Sequence, residues 1–200
     1  MRTATMAELE KTTVRTAAET ETLKADLIAL MPALRAYSRS LCANQATADD
    51  MVQEALVKAL DNLHRFEIGT SIRAWVFTIL RNTYYTALRK SRREVEDADG
   101  AHAARLCERP SQDGVVDLED FKRVFQQLSE DHREVLMLIG AAGLSYEEVA
   151  EICQCAIGTV KSRVNRARAK LGEALGLQPD DFIVDPDGGS LPPGVLTGSW

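Results

Sequence analysis

The chain has 200 residues, 45% of them apolar, and a formal net charge of −6, which allows one or two small domains with a buried core. No apolar run approaches transmembrane length and no secretory signal is seen, so membrane-spanning and secreted classes are excluded and a cytoplasmic chain with reduced thiols is expected. Net negative charge argues against a general nucleic-acid binder, but the charges are unevenly distributed.

Residues 1–20 are polar, mixed in charge and expected to fray. From about Glu21 to Cys42, Leu23, Leu27, Leu30, Leu34 and Tyr37 share one helical face, and Pro32 is expected to kink or divide that helix. Thr47 is a candidate cap for a helix over Ala48–Leu63, with Met51, Val52, Leu56, Val57 and Leu60 as its apolar positions. Asp49 and Asp50 would then lie in its first turn, where the helix dipole favours acids. His64–Thr70 reads as a loop, and Ser71 caps a long helix to about Arg92. That helix carries Ile72, Trp75, Val76, Ile79, Leu80, Tyr84 and Leu88.

The acidic stretch 94–116, with Gly100, Pro110 and Gly114, lacks hydrophobic periodicity and reads as a linker. Beyond it, Leu118, Phe121, Val124, Phe125 and Leu128 predict one helix. Ser129 can cap another, with Val135, Leu136, Leu138 and Ile139 inward and Gly143 suited to a left-handed end. Ser145 and Glu148 form an S-x-x-E capping box, followed by inward Val149, Ala150 and Ile152. After a tight turn, Ile157, Val160, Val164, Ala167 and Leu171 repeat at three- and four-residue spacing. Gly158, Ser162, Asn165 and Arg166 point the opposite way, flanked by Lys161, Arg163 and Arg168. A helix-turn-helix needs this layout, with one helix bracing phosphates while the second enters the major groove. A solvated surface helix would explain the basic stripe alone, but not the capped helix and turn before it. Residues 176–200 are rich in Pro, Gly and Asp and read as a flexible acidic tail. With no convincing strand, the expected class is all-α, with small domains over 21–93 and 117–175.

Between Ile68 and Arg93 the charged residues are Arg73, Arg81, Arg89, Lys90, Arg92 and Arg93, with no acid. Between Gly158 and Lys170 they are Lys161, Arg163, Arg166, Arg168 and Lys170, again with no acid. Two basic helices in an acidic chain point to local DNA contact. Cys42, Cys107, Cys153 and Cys155 match no zinc spacing, and the last two read as small packing residues, so neither metal nor cofactor is expected. His64, His102 and His132 stand apart from any nucleophile or carboxylate arrangement, and no Gly-rich phosphate loop occurs, which argues against an enzyme.

Three motifs in order, Asp49–Glu54, Arg73–Asn82 and Ser145–Arg168, make the chain resemble bacterial extracytoplasmic-function (ECF) RNA polymerase sigma factors. The resemblance spans roughly Asp26 to Leu175. The stretches Arg93–Gly100 and Gly158–Arg168 look most like the EcfG group, which runs general stress responses under NepR-type anti-sigma proteins. The resemblance implies a region 2 bundle, a linker and a region 4 helix-turn-helix. Asp49, Asp50, Gln53, Glu54 and Lys58 match the surface that docks on core polymerase. Arg73, Thr78, Arg81, Asn82, Tyr84, Tyr85 and Arg89 match the part that meets the −10 promoter element, with the loop 64–71 in the place that captures a flipped base. Gly158, Thr159, Lys161, Ser162, Arg163, Asn165, Arg166 and Arg168 match the reader of the −35 element. Core RNA polymerase, promoter DNA and a NepR-type anti-sigma protein are the partners so implied.

The chain departs from the family pattern at Gln154, where relatives place Gly in the helix-turn-helix turn, and at Ser129, where many carry Pro. The tryptophan pair that housekeeping sigma factors use for strand melting is absent, since only Trp75 lies in the first module. Two rivals explain less. A sigma-like decoy of the PhyR type would carry a receiver domain, for which this chain has no strand pattern. A stand-alone helix-turn-helix regulator leaves Asp49–Glu54 and Arg73–Asn82 without a role.

Overall fold

The computed structural model describes residues 16–42, 44–96 and 118–176, and every regular element among them is helical. In chain order these are α1 (Ala17–Ala29), α2 (Met31–Leu41), α3 (Gln45–Asp61), α4 (Ile72–Glu96), α5 (Leu118–Gln127), α6 (Glu130–Leu136), α7 (Tyr146–Cys153) and α8 (Ile157–Leu175). Residues 97–116 of the expected linker, residue 117 of the expected second domain and 177–200 of the expected tail lie outside the described residues, while α4 continues to Glu96, into the start of that expected linker.

Pro32 divides the first helical stretch, as its sequence suggests. It sits at the start of α2, where its missing N–H would have had no helical partner. The helix before it starts earlier than expected, inside the segment predicted to fray. Thr16 and Glu19 form a capping box there, with the Thr16 N–H donating to Glu19 Oε2 at 2.8 Å. Asn44, not Thr47, caps α3, its side-chain oxygen accepting from the Ala46 N–H at 2.8 Å. The helix therefore begins a turn upstream, and Asp49 and Asp50 fall past its first turn. Ser71 caps α4 as expected, accepting from the Ala74 N–H at 3.1 Å. The loop before it holds a short 3-10 turn over Leu63–Arg65.

The first unit packs α2, α3 and α4 around Leu34, Tyr37, Val52, Ala55, Ala59, Val76, Phe77 and Leu80. Phe77 is fully buried, edge-on to Tyr37 at 5.5 Å between ring centroids. Trp75 is half-buried against Phe66, in keeping with a core role. Two apolar positions of α3 point the other way from expectation: Val57 is 57% and Leu60 48% exposed. Here Ala48, Val52, Ala55 and Ala59 supply the inward stripe, and such small side chains let α3 pack closely against its neighbours.

The second unit packs α5, α6 and α7 on α8 around Phe121, Val135, Leu138, Ile139, Val160, Val164 and Leu171. Helix α6 runs into a π-turn over Met137–Ala141, closed by the Ala142 N–H on the Met137 carbonyl at 2.9 Å. Gly143 ends it in the left-handed conformation at φ 63°, as its sequence position suggests. The two units are in contact: α2 lies against α6 and the π-turn, and α4 lies against α7.

Candidate nucleic-acid interface

The capping box at the start of α7 forms as written in the sequence. The Ser145 N–H donates to Glu148 Oε2 at 2.8 Å, and the Glu148 N–H donates to Ser145 Oγ at 3.1 Å. Helix α7 ends at Gln154, whose φ of 53° and ψ of 45° are left-handed. It is the one non-glycine residue with positive φ among the described residues. Three residues later α8 begins, so the turn is as tight as a helix-turn-helix requires. Val160, Val164, Ala167 and Leu171 are buried beneath α8. Ile157, expected in that stripe, is 38% exposed because it is the first residue of the helix, above the packed turns.

The outer face of α8 presents Gly158, Lys161, Asn165 and Arg166 to solvent. A methyl group built on Gly158 would meet nothing within 4 Å, so this end of the helix is open to close approach. Lys161 Nζ lies 5.9 Å from the centre of the Tyr146 ring on the preceding helix. Other candidates are partly engaged within the fold. Ser162 Oγ donates to the Thr159 carbonyl at 2.9 Å, and Thr159 and Arg168 are half-buried. Arg163 Nη2 pairs with Asp131 Oδ2 of α6 at 2.6 Å.

On α4 the candidates divide. Asn82 and Arg89 are exposed, with Arg89 Nε turned back onto the Tyr85 carbonyl at 3.1 Å. Thr78 Oγ1 donates to the Ala74 carbonyl at 2.8 Å, which is internal to the helix. Arg73, Arg81, Tyr84 and Tyr85 look toward the second unit. Arg73 Nη1 donates to the Ala142 carbonyl at 2.8 Å, placing a cation at the end of the π-turn. Arg81 Nε donates to Glu134 Oε1 at 2.9 Å, and the Tyr37 hydroxyl donates to the same oxygen at 2.9 Å. The Arg81 guanidinium also lies 4.6 Å above the Tyr85 ring. Burial alone would depress the Arg81 pKa, but Glu134 outweighs it and the net shift is upward. Burial, then the Glu134 carboxylate, pushes the Tyr37 phenol well up. Burial, with Glu130 beside Tyr84 and with Glu134 beside Tyr85, also raises those two phenols. All three phenols therefore stay neutral at physiological pH and can stack or donate a hydrogen bond.

The loop before α4 is built to hold a shape. Phe66 is buried against Trp75, Thr70 Oγ1 donates to the Glu67 carbonyl at 2.7 Å, and Gly69 adopts a φ of 95°. His64, Arg65, Glu67 and Ile68 are left exposed around that turn.

A third surface runs along α3. Asp50, Gln53 and Glu54 are exposed there. Lys58 is held between Glu54 at 2.6 Å and Thr83 Oγ1 at 3.1 Å, and Asp49 pairs loosely with Arg39 at 3.4 Å. Helical spacing puts the exposed Val57 and Leu60 in line with Asp50, Gln53 and Glu54. These two apolar residues were missed as surface positions because their spacing also fits a core stripe.

No group of metal-ligating side chains occurs among the described residues, and no described helix is long and apolar enough to cross a membrane. Cys42, Cys153 and Cys155 are free thiols. Cys153 is buried, as a packing residue would be, and burial pushes its pKa to about 12.

Residues 28–94 match the sigma-70 region 2 family, and residues 118–171 match the sigma-70 region 4 family. The chain is 47% identical over 177 residues to the ECF RNA polymerase sigma factor EcfG of Rhodopseudomonas palustris, covering 86% of this chain and 98% of that protein. It is 35% identical over 138 residues to the ECF sigma factor SigC of Mycobacterium tuberculosis, covering 68% of this chain and 73% of the relative. Among solved structures, it is similar to the sigma factor RpoE of Bartonella quintana in complex with the anti-sigma factor NepR. There the TM-score is 0.69 at 47% identity, covering 79% of this chain and 99% of that one. The fold of CnrH, solved with the cytosolic domain of CnrY, is shared at TM-score 0.54 and 24% identity.

Proposed function

The chain belongs to the ECF RNA polymerase sigma factors, and on that premise we propose that it binds core polymerase through α3, the −10 element through α4 and the −35 element through α8. The domains implied are residues 21–93 for region 2 and 117–175 for region 4, joined by the linker at 94–116. The process served is transcription of general stress-response genes under a NepR-type anti-sigma protein, in the cytoplasm where core polymerase resides. The observation that carries this is the helix-turn-helix of α7 and α8, which leaves Arg166, Asn165, Lys161 and Gly158 outward over a fully packed base.

Each contact supplies a limited share of the binding. A bidentate arginine–guanine pair discriminates by about 1–3 kcal/mol, and an aromatic ring stacked on a captured base contributes about 1–3 kcal/mol. Neither module selects a promoter alone. Tethering both to polymerase raises the effective concentration of the second contact once the first has formed. The stripe of Asp50, Gln53, Glu54, Val57 and Leu60 suits the polymerase side of that tether, with acids toward its N-terminal end and exposed apolar area toward its C-terminal end.

Geometry adds a requirement. The two elements are named for positions about 25 base pairs apart, which is about 85 Å of duplex. A compact body of about 140 residues has a radius of gyration near 14 Å and measures about 40 Å across. The packed arrangement of the two units therefore cannot span a promoter, and they must separate to act. In vitro transcription with purified core polymerase and a library of promoter fragments tests the proposal. Arg166→Ala is expected to lower promoter-specific transcription by roughly 5- to 150-fold while core binding is retained. Equal loss of core binding would refute the role given to Arg166.

A further inference from the structure

The α3 face carries a tie to α4 that docking alone does not require. Lys58 Nζ donates to Glu54 Oε1 at 2.6 Å and to Thr83 Oγ1 of α4 at 3.1 Å. An exposed Glu–Lys pair four residues apart is ordinary, and by itself it holds neither side chain in one place. Helical spacing also puts Asp61 within one turn of Lys58, so an unguided ammonium would divide its time between two carboxylates. Thr83 removes that freedom. It is 3% exposed, and among the described residues its hydroxyl is bonded to Lys58 and not to its own helix. Thr78 shows the usual alternative, its Oγ1 donating to the Ala74 carbonyl four residues back. The Thr83 hydroxyl is thus a fixed acceptor in the wall between α3 and α4, and it steers the ammonium to Glu54. Glu54 lies where the acids of the α3 stripe give way to Val57.

Resting on the docking role proposed for α3, we infer that Thr83 is a positioning residue for polymerase binding, acting through Lys58 to hold the Glu54 carboxylate in one outward pose. Lys58 commits two of its three N–H donors within the chain and serves as a strut, not as a contact of its own. A carboxylate ordered before docking spares the complex the entropy of immobilising it. The group it meets on core polymerase is a cation or a hydrogen-bond donor, the complement of an α3 end that exposes Asp50 and Glu54. Thr83 follows Asn82 in the chain, but its buried hydroxyl faces α3 and takes no part in the −10 surface.

The test titrates the full chain into purified core polymerase, reading affinity directly and, on a promoter fragment it transcribes, the concentration for half-maximal transcription. Thermal unfolding is followed alongside. Thr83→Val keeps the shape and removes the hydroxyl. It is expected to weaken core binding on the order of threefold and to raise the half-maximal concentration equally, with the transcription plateau and the melting midpoint near those of the parent. Thr83→Ser keeps the hydroxyl and loses a buried methyl, so it is expected to bind core as the parent does while melting lower. A Thr83 that only packed would rank the two variants the other way. In a Lys58→Met background, Thr83→Val is expected to add nothing. Lys58→Met alone, at a half-buried position, carries the test with the same expected loss should the valine variant not fold. Core binding at or above the parental level in the folded Thr83→Val or Lys58→Met variant overturns the inference, as does full additivity of the two. Glu54→Ala separates it from the docking role and is expected to weaken core binding by more than Thr83→Val. If Glu54→Ala binds core as the parent does, the docking role of α3 fails and the inference falls with it. If Glu54→Ala weakens binding and Thr83→Val does not, the positioning role alone fails.

Discussion

Gln154 offers a direct measurement of what the helix-turn-helix costs to form. It caps α7 at φ 53° and ψ 45°, its N–H is held by the Glu151 carbonyl at 3.2 Å, and its side chain is exposed. Replacing it therefore removes no packing, only the penalty of a side chain in the left-handed region. That penalty is about 1–2 kcal/mol. Gln154→Gly relieves it but enlarges the entropy of the unfolded chain, a loss of about 0.4–1 kcal/mol. The balance is a net stabilisation of about 0.5–1 kcal/mol. At about 2–4 °C per kcal/mol for a chain of this size, thermal unfolding followed by circular dichroism should shift upward by about 1–4 °C. Gln154→Val serves as the opposite control, because a β-branched residue tolerates positive φ worst and should lower the midpoint. A glycine variant that melts below the parent, or a valine variant that melts with it, would refute the left-handed assignment.

Three further outcomes follow from particular contacts. Freeing Arg163 by Asp131→Ala should add up to one phosphate contact, steepening the log–log salt slope of duplex binding by about 0.9; an unchanged slope removes Arg163 from the DNA-binding set. Leu60→Asp should weaken core-polymerase association by about tenfold, from the loss of about 1.5 kcal/mol of buried apolar area, with the melting midpoint almost unmoved because the side chain is 48% exposed. Cys153 should resist alkylation at pH 8 while Cys155 reacts, since the buried thiol ionises only near pH 12. Because the raised value favours the neutral thiol in the folded state, its contribution to stability is complete below about pH 8.5. That contribution is lost as pH climbs toward 12, and urea midpoints across that range report the decline.

The all-helical class and the helix-turn-helix were legible because their signals are local. Ser145 and Glu148 specify a cap within four residues, and Val160, Val164, Ala167 and Leu171 specify a face at helical period. Asn44 displaced Thr47 as the cap of α3 because both are competent and only the chain path chooses between them. Val57 and Leu60 were misplaced for a related reason. Leu56, Val57 and Leu60 can be drawn as one stripe, and so can Ala48, Val52, Ala55 and Ala59; alanine scores weakly as apolar, so the larger side chains appeared to be the core. What the sequence could not carry at all was the seam. Glu134 lies between Arg133 and Val135 in a helix whose first turn is acidic, and nothing local separates it from Glu130 or Asp131. Its partners are 53 and 97 residues away along the chain, at Arg81 and Tyr37. Net charge per helix points to two basic surfaces but carries no information on how the two units sit against each other. The fold sets acids of α6 against cations of both units, with Glu134 on Arg81 and Asp131 on Arg163. On the DNA-binding roles proposed for Arg81 and Arg163, each such pair has to be exchanged for a phosphate before the DNA is held.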